Sequence, residues 1–261
     1  MIKLKRLFEW FGGIALLIFS FYLTDQVSQL VINNTKLMSE IKAVASEYNT
    51  TTQDAVIDIS SNEIVPGKYG KTVNEEESYQ SMRDFRAFNK NFLVYDYIKP
   101  QTSLFDNKDK IIKGGNASNR EISIIANDHD IIKYLVSKKI CLNVLSYDKS
   151  LNKDVEYINA NYEEEKFNDA DKLLEPNKKI CLKGYSNLDL CIKNEYYIIK
   201  PSLVIDKQNA ESMINKIASG YIILLDGKIN LEYIDEILDE IQYRDLNIVF
   251  ISTLIDEKSH A

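Results

Sequence analysis

The stretch Gly220–Glu257, GYIILLDGKINLEYIDEILDEIQYRDLNIVFISTLIDE, decides how the rest of the chain is read. YIILLD is an apolar run of strand length that ends at Asp226-Gly227, a turn dipeptide. NLEYIDEILDEIQYRD follows with the three-four spacing of an amphipathic helix, and NIVFIS returns as a second apolar strand. Strands that are apolar throughout, joined by a helix, indicate a mainly parallel sheet buried on both faces.

The same grammar continues upstream as far as Glu121. ISIIAN, from Ile122 to Asn127, is a strand, DIIKYLVSKK a helix and CLNVLS a second strand. KKICLKGYS supplies a strand, Asn187–Asn194 a short helix, and YYIIKPSLVI an apolar strand broken by Pro201. KQNAESMINKIAS is the helix that leads back into Gly220–Glu257. The polar segment from Tyr147 to Asn177 takes no assignment. Before Glu121, residues 54–120 form a lead-in of mixed α and β character. DAVIDIS is a strand, PGKYGK a turn, EEESYQSMRDFRAFNK a helix from Glu75 with acids in its first turn, NFLVYDYIKP a strand ending at Pro100, and GGN at Gly114–Asn116 a turn.

The N-terminus follows a different rule. From Leu7 to Leu23 the chain reads LFEWFGGIALLIFSFYL, seventeen residues. At ~1.5 Å each they span roughly 25 Å, slightly less than a ~30 Å hydrocarbon core. Trp10 and Tyr22 stand near the two ends, and Lys3, Lys5 and Arg6 precede the run. The reading is a cytoplasmic tail (1–6), a transmembrane anchor (7–24), and everything after it on the extracellular side. A cleaved signal peptide is the alternative, but FYLTDQVSQ is a poor cleavage site. Val27, Leu30, Val31, Leu37, Met38, Ile41, Val44 and Tyr48 keep helical spacing across an amphipathic stalk and linker, residues 25–53. Such a stalk can pair copies into a homo-oligomer, which would make the chain a structural membrane-assembly protein acting through the 25–48 helix, or, since Asn34 interrupts the seam, lie singly against the domain.

Thirty-two Lys and Arg against 39 Asp and Glu give a net charge of −7; taking away the three basic residues before the anchor leaves −10. A surface of that sign repels nucleic acid. Three cysteines, Cys141, Cys181 and Cys191, are too few for a disulfide framework and carry no CxxC. Cys181 and Cys191 either pair or, the favoured reading, sit as small buried apolar groups.

GYIILLDGKINLEYIDEILDEIQYRDLNIVFISTLIDE resembles the closing strand–helix–strand of NodB-type polysaccharide deacetylases, and REISIIANDHDIIKYLVSKKICLNVLS resembles their opening strand and helix. KTVNEEESYQSMRDFRAFNKNFLVYDYIKPQTSLFDNKDKIIKGGN resembles the region before that domain in membrane-anchored Gram-positive members. The resemblance implies an α/β fold, a shortened, distorted (β/α) barrel over residues 121–257, with 258–261 as a tail. It also implies work in the cell envelope, with glycan or a membrane protein as partner.

The family's chemistry needs a divalent metal held by one Asp and two His at HxxxH spacing, an Asp as general base and a further His as general acid. This chain has two histidines, His129 and His260, fewer than that set requires. Matching ISIIANDHD to the first motif puts Asn127 at the base position and Asp128 at the metal position. ILLDGK puts Asp226 where the acid His belongs. An amide cannot accept the proton that a carboxylate accepts. The implied product is a pseudoenzyme with no cofactor and no catalytic residue. Tyr185, Asp128 and Asp226 remain as glycan-binding candidates. The alternative is a rearranged metal site of Asp128, His129 and Asp226, serving an active hydrolase. Its bland counterpart makes Asp130 a helix cap, His129 an exposed residue and Asp226 a turn residue. A serine hydrolase lacks its GxSxG elbow here.

Overall fold

A computed structural model describes residues 2–145, 155–172, 174–175 and 178–258, and only the backbone of 2–12, 25 and 28. The chain divides into two compact units, Met1–Thr50 with Lys71–Tyr97, and Thr51–Gly70 with Ile98–Ala261.

In the first unit, α1 (Ile2–Asn33) is one helix, and its part Gly13–Asn33 is long and apolar enough to cross a membrane by length and composition. Asn34 and Thr35 end it. The Thr35 hydroxyl accepts the Met38 N–H at 3.2 Å and so caps α2 (Lys36–Tyr48). The amphipathic stretch therefore divides between two helices. Val27, Leu30 and Val31 are exposed on α1, whereas Leu37, Met38 and Ile41 are buried.

The chain next contributes a hairpin to the second unit, β1 (Val56–Asp58) antiparallel to β2 (Glu63–Val65). It then completes the first unit with β3 (Gly70–Val73), α3 (Glu75–Met82) and β4 (Tyr95–Ile98). Asn74 caps α3 through the Glu77 N–H at 3.0 Å, with Glu75, Glu76 and Glu77 in the first turn where they complement the dipole. The helix is shorter than its sequence pattern, because the chain turns after Met82 and Arg86 takes a left-handed φ of 52°. Leu37, Ile41 and Ala45 from α2 pack with Val73, Met82 and Leu93 as this unit's core.

The second unit alternates strands and helices in chain order. β5 (Ile111–Ile112) and β6 (Glu121–Ala126) lead to α4 (His129–Ser137), β7 (Leu142–Val144) and β8 (Val155–Tyr157). Then come α5 (Glu164–Asp171), β9 (Ile180–Leu182), α6 (Leu188–Lys193), β10 (Tyr197–Ile199) and β11 (Leu203–Ile205). The chain closes with α7 (Ala210–Ile214), β12 (Ile222–Leu225), α8 (Leu231–Tyr243), β13 (Asn247–Ile248) and α9 (Ile251–Leu254). One sheet has the order β1-β2-β5-β10-β9 and the other β11-β12-β6-β7-β8, with β13 pairing the start of β6. Apart from the β1–β2 hairpin, the described ladders of these two sheets are parallel. The fold is thus mixed α/β with parallel sheets.

Residue alternation explains why these strands are apolar on both faces. Along β12, Ile223 and Leu225 join a core with Ile131 and Leu135 of α4 and Ile234 and Ile237 of α8. Ile222 and Leu224 join a separate core with Ile112, Ile180, Ile199 and Ile251. Pro201 is where the chain changes sheets. It has no N–H to give to a ladder, and its neighbours turn opposite ways: Lys200 N–H reaches Ile112 O and Ser202 N–H reaches Ile222 O, both at 2.8 Å. On the other side, Asn159 N–H meets Ile180 O at 2.9 Å, joining the end of β8 to β9.

Three local features bear on stability. Gly115 N–H donates to Gly220 O at 2.7 Å, an approach so close that a Cβ on Gly220 would lie 2.5 Å from Gly115 O. Glu257, 7% exposed, accepts the backbone N–H groups of Gly67 (2.7 Å) and Leu104 (2.9 Å) on one carboxylate oxygen. Finally, Cys181 of β9 and Cys191 of α6 form a disulfide with a Cα–Cα distance of 6.3 Å, correcting the reading of two separate thiols. A strand and the helix that follows it lie close enough here for the two side chains to meet.

Candidate functional site

Parallel strands bring their C-terminal ends to one side of the sheet, where α/β folds place ligands. β6 ends at Ala126 and β12 at Leu225, and the register pairs these two residues. Asn127 and Asp226 therefore leave adjacent strands side by side. The Asn127 amide donates to Asp226 Oδ1 at 2.6 Å, and its carbonyl oxygen accepts the Gly227 N–H at 2.7 Å. Gly227 adopts a φ of 74°, which glycine takes without strain and which lets the chain double back toward Asn127.

The third member comes from the loop after β9. Gly184, at a φ of 91°, turns the chain, and the Tyr162 hydroxyl donates to its carbonyl. This loop delivers the Tyr185 hydroxyl to Asp226 Oδ2 at 2.9 Å. Burial, and after it the Asp226 carboxylate, pushes the Tyr185 phenol up to about 12. It stays a donor throughout the neutral range. Both oxygens of Asp226 and both ends of the Asn127 amide are thereby engaged with each other and their neighbours.

Asp128 serves the helix that follows. Its Oδ1 accepts the Asp130 N–H at 3.0 Å and the Ile131 N–H at 3.2 Å, so Asp128 is the cap of α4. Asp130, expected in that role, is instead the second residue of the helix. His129 opens the helix and is exposed. Among the described residues no group of three or more His, Cys, Asp or Glu side chains is placed to hold a metal ion. Asp128, His129 and Asp226 accordingly do not gather as the alternative metal site requires. α5 lies in the segment where an HxxxH pair is expected, and its sequence EEKFNDAD carries none. His260 lies outside the described residues. Among the described residues the donor set does not match the one Asp and two His that a divalent metal of the deacetylase kind takes.

As it stands, the arrangement can hold a shape and present a few exposed polar atoms. The Asn127 amide cannot act as a carboxylate base, and both oxygens of Asp226 accept hydrogen bonds. Sequence reasoning placed Asn127 and Asp226 at two motifs of one site and named Tyr185 with Asp226 as a glycan-binding candidate, but it missed the hydrogen bonds that join the three. The signal lay in register: two apolar strands of matched length, each ending in a polar residue.

No protein-family model matches the sequence, and no curated protein matches it. Solved structures do. BA3943 from Bacillus anthracis, described as a CE4 family pseudoenzyme, aligns with a TM-score of 0.56 at 18% identity, over 85% of this chain and 95% of that one. A mutant of BA3943 described as having restored enzymatic activity aligns with a TM-score of 0.58 at 18% identity, over 85% and 98%. These likenesses, together with the parallel sheets and the strand-end position of Asn127 and Asp226, identify the fold of this chain as that of the NodB-type polysaccharide deacetylases.

Proposed function

We propose that this chain is a membrane-tethered, catalytically silent deacetylase-like protein that binds envelope glycan rather than cutting acetyl groups from it. One observation carries the reading. At the strand ends, Asn127, Asp226 and Tyr185 close on one another through bonds of 2.6 and 2.9 Å, while Asp128 caps a helix. A working site would need a free carboxylate, a metal-binding triad and an imidazole acid there. The likeness to BA3943, described as a pseudoenzyme, supports the same direction.

The Cys181–Cys191 disulfide supports an oxidising compartment and so an extracellular second unit. The apolar α1 supports an anchor whose basic start stays in the cytoplasm. Hydrogen bonds at Pro201 and between Asn159 and Ile180 support reading the two sheets as one shortened, distorted barrel.

The test is acetate release by the full chain in lipid nanodiscs. It is given acetylated chitooligosaccharide and peptidoglycan fragments with added zinc, cobalt or nickel, beside an Asp128→Ala control. No release by either protein is expected. Metal-dependent release that the control loses would overturn the reading.

A further inference from the structure

At the opposite end of β9 and β10 lies a groove of about 670 Å³, built within the second unit. Lys179 stands just before β9, and Tyr197 is the first residue of β10. Tyr185, by contrast, follows the C-terminal end of β9, so this groove and the Asn127–Asp226–Tyr185 cluster sit at opposite ends of the same strand.

Three aromatic rings line it, Tyr69, Phe105 and Tyr197. Phe105 is 63% exposed, and a ring that size left in water is the kind of residue that marks a contact surface. The Lys108 ammonium lies 4.7 Å from the centroid of Phe105 and 5.8 Å from that of Tyr197. Lys108 is exposed, so its ammonium can exchange the rings for water, while the Lys99 ammonium, held by Asp106, also lies 5.4 Å from the Phe105 centroid.

The charges of the lining select the class of ligand. The lining carries Lys108, Lys179 and Lys258 together with Glu195, Asp256 and Glu257; Lys179 also binds Asp171 at 2.8 Å, and one Glu257 oxygen accepts the Gly67 and Leu104 N–H groups. A polyanion would meet the three carboxylates and a polycation the three ammonium groups, each without a matched field. An oil-like ligand would strand them both. Charged donors and acceptors in equal number beside aromatic faces suit an uncharged, polyhydroxylated molecule, whose hydroxyls take both kinds of bond while its C–H face lies on a ring. The volume falls within the ~300–1,000 Å³ range of small-ligand sites and admits a short oligosaccharide.

We propose that this groove is a glycan-binding site, with Phe105 as its platform and Lys108 as a cover that moves aside. The proposal rests on the reading of the chain as a glycan binder, and it places the binding at the end away from the degenerate deacetylase cluster.

The test is calorimetric titration of the full chain in nanodiscs with the β-1,4-linked N-acetylglucosamine tetramer. Phe105→Ala is expected to weaken binding by about tenfold or more, as loss of a central aromatic contact does. Because Phe105 is largely exposed, this variant is expected to keep the parent's circular dichroism and melting temperature. Tyr185→Phe is expected to leave the affinity unchanged. Absence of binding, or binding lost with Tyr185→Phe and kept with Phe105→Ala, would overturn the site. Preference for soluble polyphosphate over the tetramer would overturn the ligand class. Acetate release alongside Phe105-dependent binding would sink the catalytic reading alone, and neither release nor binding would sink this site together with the glycan-binding half of the proposed function while leaving catalytic silence standing.

Discussion

Replacing Cys181 and Cys191 together by Ala should cost the second unit about 3 kcal/mol. The two residues are ten apart in sequence. A cross-link closing a loop of that length removes roughly 9 cal/mol/K of chain entropy from the unfolded ensemble, or about 2.7 kcal/mol at 25 °C. Both side chains are fully buried beside Phe167, Tyr196 and Ile198, so removing two sulfurs adds a cavity term of the same sign. In urea, with a slope of roughly 2–3 kcal/mol/M for a unit of this size, the midpoint should fall by about 1–1.5 M. The assay is urea unfolding of the full chain in detergent, followed by tyrosine fluorescence. The parent is measured with and without dithiothreitol, beside the double variant. Reduction of the parent isolates the loop term, because the sulfurs remain. The difference between reduced parent and variant then isolates the packing term. An oxidised parent whose midpoint does not move on reduction would refute the reasoning, as would alkylation of Cys181 and Cys191 in protein taken from its native envelope without reductant.

Three further outcomes follow from contacts elsewhere. Burial, opposed by its two backbone N–H partners, raises the Glu257 carboxyl above its ordinary 4.5. The folded state thus holds this proton more tightly than the unfolded one, and the stability it contributes is present below pH 4.5 and lost as pH rises through the folded value. Glu257→Gln keeps an acceptor oxygen for Gly67 and Leu104 and should flatten that slope in pH-dependent melting; an unchanged slope would sink the assignment. Gly220→Ala should cost more than about 2 kcal/mol, since its Cβ would meet Gly115 O at 2.5 Å and its φ is +82°. Gly184→Ala, at +91° with nothing within 4 Å, should cost only about 1 kcal/mol, and equal losses in denaturant titration would contradict the account. Asn127→Asp replaces an amide 2.6 Å from Asp226 by a carboxylate, so it should destabilise by roughly 1–3 kcal/mol at pH 7 and less at pH 4, where one of the pair holds a proton. Melting temperatures at the two pH values decide this.

The parallel-sheet core was legible because burial on both faces writes itself as unbroken apolar runs. ISIIAN and YIILLD are β6 and β12 with the neighbouring polar residue attached. NIVFIS was read as one strand but yields after Ile248 to a short helix, since Ile251 and Leu254 are needed beneath the sheet. Val27–Tyr48 kept one spacing through a helix break, because periodicity reports a face and not what covers it; Thr35 and its hydroxyl carried the stop signal. GGN at Gly114–Asn116 looked like an ordinary turn, and its reason, the approach of Gly220, lies more than a hundred residues away. The disulfide and the Asn127–Asp226–Tyr185 cluster depend on which strands are neighbours, and strand order is not written locally.

On the proposed reading, that cluster also bears on how the chain would tolerate a loss of chemistry. A working site keeps carboxylates unpaired and imidazoles poised, arrangements that cost stability until substrate or metal arrives. Here the position next to Asp226 carries an amide that can donate and accept at once, and the phenol of Tyr185 completes the set. Each bond favours the others, because an acceptor already ordered by one donor is met by the second with little further entropy cost. Placing a carboxylate at residue 127 alone therefore breaks a satisfied network and installs repulsion. On the proposed reading the cluster holds the strand ends together, and ligand binding would fall to a surface where polar and aromatic groups face water, as they do around Phe105 and Lys108.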